Sequence, residues 1–289
     1  MGIQERGDPV SRHEFAYAGW STGVDVNGVE WTLEKSTGWD EGTGVRTARE
    51  VRAQQDGEWA ATPYRAAREV TLQGKAFAPS HEALTASGRA FAGLPLGDVL
   101  TGVTDGVALS GAATLLDGPR FEHAFVTHAV WQLALVMPDP LLYGHPSFGQ
   151  TTLAAASGGA GLTYPLTYPR DYGTPPGVTP GSVFAANVGT ATYWPTLRID
   201  GPVPNPVVQL AETGDWIRYG GTLSAPQWLD IDCATRSVLL NGQVSVRHLV
   251  TASGAWLAIH PGGGSVVWSG DSADPAATLS VWSYEGAFQ

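Results

Sequence analysis

Turn residues cut this chain into short apolar runs: 37 glycines and 20 prolines are spread along 289 residues, with no triplet period. Long helices tolerate few such interruptions, and a collagen-like chain needs the period. The spacing therefore selects short strands joined by turns, an all-β fold. The length exceeds that of an ordinary single core and divides most simply into two domains. Hydrophobic residues make up 43% and charged residues only 15%, against roughly 25% charged in an average soluble protein. Such a chain folds rather than staying disordered.

Sixteen basic against 27 acidic side chains give a net charge of −11. That balance opposes wrapping nucleic acid through phosphate contacts. The halves differ: residues 1–140 hold 11 basic and 18 acidic side chains, residues 141–289 only 5 and 9, with no lysine. Cys233 is the single cysteine, so no intrachain disulfide forms and assembly in a cytoplasm is permitted. Met1 to Asp8 carries Glu5, Arg6 and Asp8 where a signal peptide needs an apolar core, and no run approaches the length of a membrane helix. Export is expected by another route, such as cell lysis.

Along the chain, Asn27-Gly28 divides two β-type segments and suits the positive-φ positions of a hairpin. Val45 to Gln54 and Ala67 to Phe77 read as the two arms of one long, wet hairpin carrying Arg46, Arg49, Arg52, Arg65 and Arg68. These arginines either blunt an edge or contact a neighbouring subunit. Ser80 opens a helix with Ala83, Leu84, Ser87, Ala90, Phe91 and Leu94 on one face, ended by Gly93 and Pro95. Phe121 to Met137 reads as the longest β-run, closed by Pro138-Asp139-Pro140. The Gly/Ser/Ala stretch Ala154 to Gly161 puts the division between 140 and 162. The expected organisation is a domain at 1–140, a linker at 141–161 and a domain at 162–289. The second domain is a series of short strands, with strict alternation in Leu229-Asp230-Ile231-Asp232 and a turn at Asn241-Gly242. This spacing predicts a β-sandwich or jelly roll.

Taken in order, the hairpin NGVEW, the strand ending VTLQG, the junction MPDPLLYG, and then NVGTATYWPTLRIDGPVPNP, WLDIDCATRSVLLNG and WLAIHPGGGSVVW resemble the distal tail proteins of siphophages over nearly the whole chain. One departure is Gly263-Gly264-Ser265, where such proteins often carry Asn after the Pro-Gly turn. The resemblance implies an N-terminal belt-type β-sandwich with a long hairpin and a helix, closing a homohexameric ring around a channel through which DNA passes without specific binding. It further implies a galectin-like C-terminal sandwich. The partners implied are the tail tube protein, the tail-tip hub and receptor-binding proteins, in a virion assembled in the host cytoplasm, with no membrane, no cofactor and no catalytic residues.

Other chemistry has to be weighed against this. Asp230 and Asp232 share a strand face at a separation that glycoside hydrolysis could use, but acids alternating on a wet face commonly serve solvation or turn capping. The seven histidines are dispersed. On one regular strand His123 and His128, five apart, face opposite sides, while His248 and His260 could meet across a hairpin. Gly262-Gly263-Gly264 lacks the lysine and helix of a phosphate-binding loop and reads as a turn. Six of the eleven tryptophans lie in the second half. Trp194, Trp216, Trp228 and Trp256 foremost, with Trp268 and Trp282, could stack sugar rings in a carbohydrate-binding module, or fill a core or an interface.

Overall fold

A computed structural model describes residues 13–104, 106–155, 178–179, 181–271 and 274–289. The Met1–Asp8 segment, and the Gly/Ser/Ala stretch from residue 156 onward, lie outside the described residues. The fold is all-β, with one α-helix among the described residues. It divides into two compact units, residues 1–144 with 288–289 and residues 145–287. Pro146–Thr152, inside the expected linker, pairs along its whole length with Thr278–Tyr284. It is a strand of the second unit, not a linker.

In the first unit, eight antiparallel strands run in the order Trp20–Ser21, Glu14–Tyr17, Gly97–Thr104, Val107–Leu115, His128–Met137, Arg68–Phe77, Glu30–Thr37 and Gly23–Val24. Alternation sets the core: Arg68–Phe77 and His128–Met137 bury every second side chain, as a sheet with one covered face requires. The helix His81–Ala92 is capped by Ser80, whose hydroxyl accepts from the Ala83 amide. It lays Leu84 and Phe91 onto this face, where Phe91 meets Trp20, Trp31 and Trp131 with ring centroids 5.1–6.0 Å apart. Gly88 has no room for a side chain: a Cβ there would sit 2.5 Å from the Phe121 ring.

Two strands of this unit differ from the sequence-based expectation. Phe121 to Met137 is not one strand. Arg120–Phe125 turns back onto His128–Met137, with Phe125 opposite His128, so His123 and His128 lie on different strands. The arginine hairpin has other arms as well: Val45–Arg46 pairs with Tyr64–Arg65, and Arg49–Val51 with Glu58–Ala60. Arg68–Phe77 is an interior strand between Glu30–Thr37 and His128–Met137.

The second unit is built of two antiparallel sheets. One runs Pro146–Thr152, Thr278–Tyr284, Thr196–Asp200, Trp228–Asp232, Ser237–Leu240 and Val244–Ser245; the other runs Gly181–Ala185, Gly264–Ser269, Val207–Leu210, Trp216–Tyr219 and Val250–Ala252. Leu197, Ile199, Leu229 and Ile231 from the first and Val208, Ile217, Val266 and Trp268 from the second are buried. The sheets meet closely enough that a Cβ on Gly149 would lie 2.3 Å from Val183 Cγ1. Asn187, at the head of the NVGTATYWP phrase, is buried and saturated. Its Nδ2 donates to the Ala191 and Ile259 carbonyls, and its Oδ1 accepts from the Gly189 and Ala287 amides. Cys233 is buried directly after the core strand Trp228–Asp232, and desolvation, followed by the charge of Asp232, drives its thiol pKa far up.

Candidate functional site

The most unusual surface of the first unit is the hairpin between residues 40 and 67, in which no residue is buried. Its ladders are only two and three residue pairs long, and a two-stranded hairpin without a core is marginal in water. It nevertheless presents large apolar side chains: Trp59 and Tyr64 are each 64% exposed, and Val45 and Val51 also stand out. Arg46 and Arg49 have no hydrogen-bond or ion-pair partner among the described residues. Arg52 lies 4.5 Å from the centre of the Trp59 ring, and Arg65 donates to Thr43 at 3.4 Å and to Gln289.

Arg68 does not belong with these four. It is 1% exposed, with Nη1 donating to the carbonyls of Gly38, Trp39 and Glu41 at 2.7–2.9 Å and Nε to Pro140 at 3.0 Å. A guanidinium spent on its own chain cannot contact a neighbouring subunit, so the sequence-based expectation for Arg68 is overturned. The alternation held the signal: Arg68 is in phase with Val70, Leu72, Gly74 and Ala76 on the covered face. Its cage fixes the root of the hairpin. Gly38 enters it at φ +84°, where a Cβ would strike the Glu69 carbonyl, and Trp39 packs edge-on against Phe15 at 5.1 Å.

In the second unit the tryptophans separate. Trp256 is buried, with Arg247 4.9 Å from its ring centre, Trp268 is buried, and Trp216 is half-buried. Trp194 is exposed. Trp228 and Trp282 share the outer face of the six-stranded sheet with Arg198, which lies 5.4 and 5.8 Å from their ring centres. Asp230 takes Arg198 Nε at 2.6 Å on one oxygen and Trp228 Nε1 at 3.0 Å on the other. The hydrogen bond to Asp230 leads in raising the Arg198 pKa.

Asp232 is occupied in a different way. It accepts from the Ala234 and Thr235 amides and from the Thr235 hydroxyl, capping the turn that follows its strand. The two acids thus hold structure separately. His260 pairs with Thr192, and His248 sits in the short 3₁₀ turn Arg247–Leu249. Gly262 and Gly263, at φ +101° and +84°, form the turn before Gly264–Ser269. Among the described residues no group of three or more His, Cys, Asp or Glu could hold a metal, and no helix is long and apolar enough to cross a membrane.

The described residues form a two-unit all-β fold with an exposed arm on the first unit. Residues 188–281 match the C-terminal domain of the siphovirus-type tail component family. Over these residues the chain carries that family's domain, a match that supports a relationship to the siphophage distal tail proteins. Its fold resembles the Dit protein of phage SPP1, described as a paradigm of the hub adsorption apparatus in phages infecting Gram-positive bacteria, with TM-score 0.60 and 12% identity over 96% of this chain and 100% of that one. Two structures of the phage p2 baseplate in its activated conformation, with Ca and with Sr, match at TM-scores 0.45 and 0.46 and 10% identity, over 95% and 96% of this chain and 99% of theirs. No curated protein sequence matches the chain.

Proposed function

We propose that this phage tail component closes a homohexameric ring at the tail tip, joining the tail tube to the tip and receptor-binding machinery, with the 40–67 hairpin as its contact arm. The arm carries the proposal. Exposed Trp, Tyr and Arg are the side chains that dominate protein interfaces, and here they stand on a hairpin with no core of its own. Arg46, Arg49, Arg52 and Arg65 supply planar forks that pair with carboxylates across a boundary. With these cations engaged, the acidic excess of the first 140 residues is left to line a channel that DNA traverses without sticking. The C-terminal sandwich is galectin-like in type.

Exposed ion pairs contribute only about 0–1 kcal/mol each, so Trp59 and Tyr64 must bury apolar surface in the ring. Sedimentation should give a particle of about 182 kDa, six times the 30.3 kDa chain. The combined change Arg49→Ala, Trp59→Ala and Tyr64→Ala should reduce it to smaller species with each unit still folded. A wild-type monomer, or a hexamer indifferent to the triple change, would refute the arm's role.

A further inference from the structure

The outer face of the second unit's six-stranded sheet is finished in a way that folding alone does not require. Strand register sets Phe148 opposite Trp282, Arg198 between Ser280 and Asp230, and Asp200 opposite both Thr278 and Trp228. The result is an oblique strip, Phe148–Trp282–Arg198–Trp228, crossing four adjacent strands, or roughly 14 Å of sheet width at the usual strand spacing. Phe148 is 57% and Trp282 41% exposed, with ring centroids 5.3 Å apart. Two large aromatics side by side in water are a cost that a free surface normally avoids.

The polar groups beside them are held in place with capacity to spare. Asp230 fixes Arg198 through Nε, while the terminal Nη groups have no partner among the described residues. Gln150 is anchored through Nε2 to Ser280 and Thr278, and its side-chain oxygen has no hydrogen-bond partner among the described residues. Asp200 accepts from Thr278 through one oxygen and keeps the other.

We infer that this strip is a binding platform for a neutral hexopyranose oligosaccharide, with Phe148 and Trp282 stacking on the C–H faces of the sugar and Arg198, Asp200 and Gln150 hydrogen-bonding its hydroxyls. The chemistry fits. Aromatic faces carry partial negative charge and attract the polarised C–H groups of a pyranose, and a hydroxyl-bearing ring needs both donors and acceptors, as found here. Charge selects the neutral class: Asp200, Asp230 and Asp232 outnumber Arg198 on this face, so polyanions are repelled. Trp228 serves as a prop for the guanidinium, and Trp194, Trp216 and Trp256 lie outside the strip.

The test is calorimetric titration of the full-length protein, in whatever assembly it adopts, with maltohexaose, cellohexaose, mannohexaose and galactan-derived oligosaccharides, and with dextran sulfate as the anionic arm. At least one neutral oligosaccharide should bind with Kd on the order of 1 mM or tighter. Trp282→Ala and Arg198→Ala should each weaken it about tenfold or more, with far-UV circular dichroism unchanged, while Trp194→Ala leaves it intact. Three results would overturn the assignment: no saturable binding of any neutral probe, binding that survives Trp282→Ala combined with Phe148→Ala, or a preference for dextran sulfate. Particle mass is read in parallel, so failure of sugar binding is distinguished from failure of ring assembly.

Discussion

The arm of the first unit and the outer sheet face of the second both expose aromatic rings and arginines, yet they are built in opposite ways. On the sheet, Arg198 is clamped by Asp230 between two tryptophans and rides on strands whose other side is buried core. On the arm, Arg46 and Arg49 have no hydrogen-bond or ion-pair partner among the described residues, and the ladders beneath them are a few pairs long. A braced surface loses little freedom when a small rigid ligand arrives, whereas an unbraced one gains order only from something large enough to enclose it. This contrast is the reason for proposing a saccharide for the sheet face and a second copy of the chain for the arm.

The sharpest way to break the contrast is at Arg68, the one braced arginine beneath the unbraced arm. Arg68→Ala leaves the buried Trp39 carbonyl and the partly buried carbonyls of Gly38, Glu41 and Pro140 without this partner and should cost about 3 kcal/mol in urea unfolding. A cost below 1 kcal/mol would mean that the root is held by something other than the cage. Next comes the arm itself. Arg46→Ala, Arg49→Ala and Arg65→Ala together should weaken assembly at least tenfold by sedimentation, while unit stability moves by no more than about 0.5 kcal/mol. Each single change should be tolerated.

A braced carboxylate offers a smaller, pH-dependent check. Asp25 is partly desolvated, which raises its pKa. Hydrogen bonds from Ser87, Trp31, Val29 and Asn27 outweigh that and hold it below its ordinary value of 3.8. A depressed carboxylate stabilises above its unfolded pKa and loses that contribution as pH falls through the folded one. Asp25→Ala should therefore cost about 1 kcal/mol at neutral pH, and the gap from wild type should close below pH 3.8. A gap that persists at pH 2 would assign the effect to packing. The smallest expected effect is none: Asp230→Asn and Asp232→Asn should leave polysaccharide turnover at background, since both acids are committed to Arg198 and to the following turn.

How much of this could be read in the sequence follows from which signals are local. The helix was legible because Ser80, Glu82 and the apolar face fall within one short window, and Asn241-Gly242 because both residues take the positive φ that the pair favours. At Asn27-Gly28 only the glycine does so, and the Asp25 carboxylate closes the turn through the Asn27 and Val29 amides. The arginine hairpin was misdrawn because Arg65 and Arg68 are near in sequence while their strands belong to different sheets. Period-two phase at Arg68 would have corrected it. The sugar strip was out of reach: Phe148, Arg198 and Trp282 come from distant segments, and only strand register makes them neighbours.

Cys233 carries a practical consequence. Buried among core strands, with its thiol driven far toward the protonated form, it should resist alkylating reagents that need an exposed thiolate. The native chain thus behaves as a cysteine-free background for labelling. A cysteine introduced at Arg49 would be the one reactive handle, so a spin label or fluorophore placed there could report the distance from arm to arm between copies without removing any residue that the fold depends on.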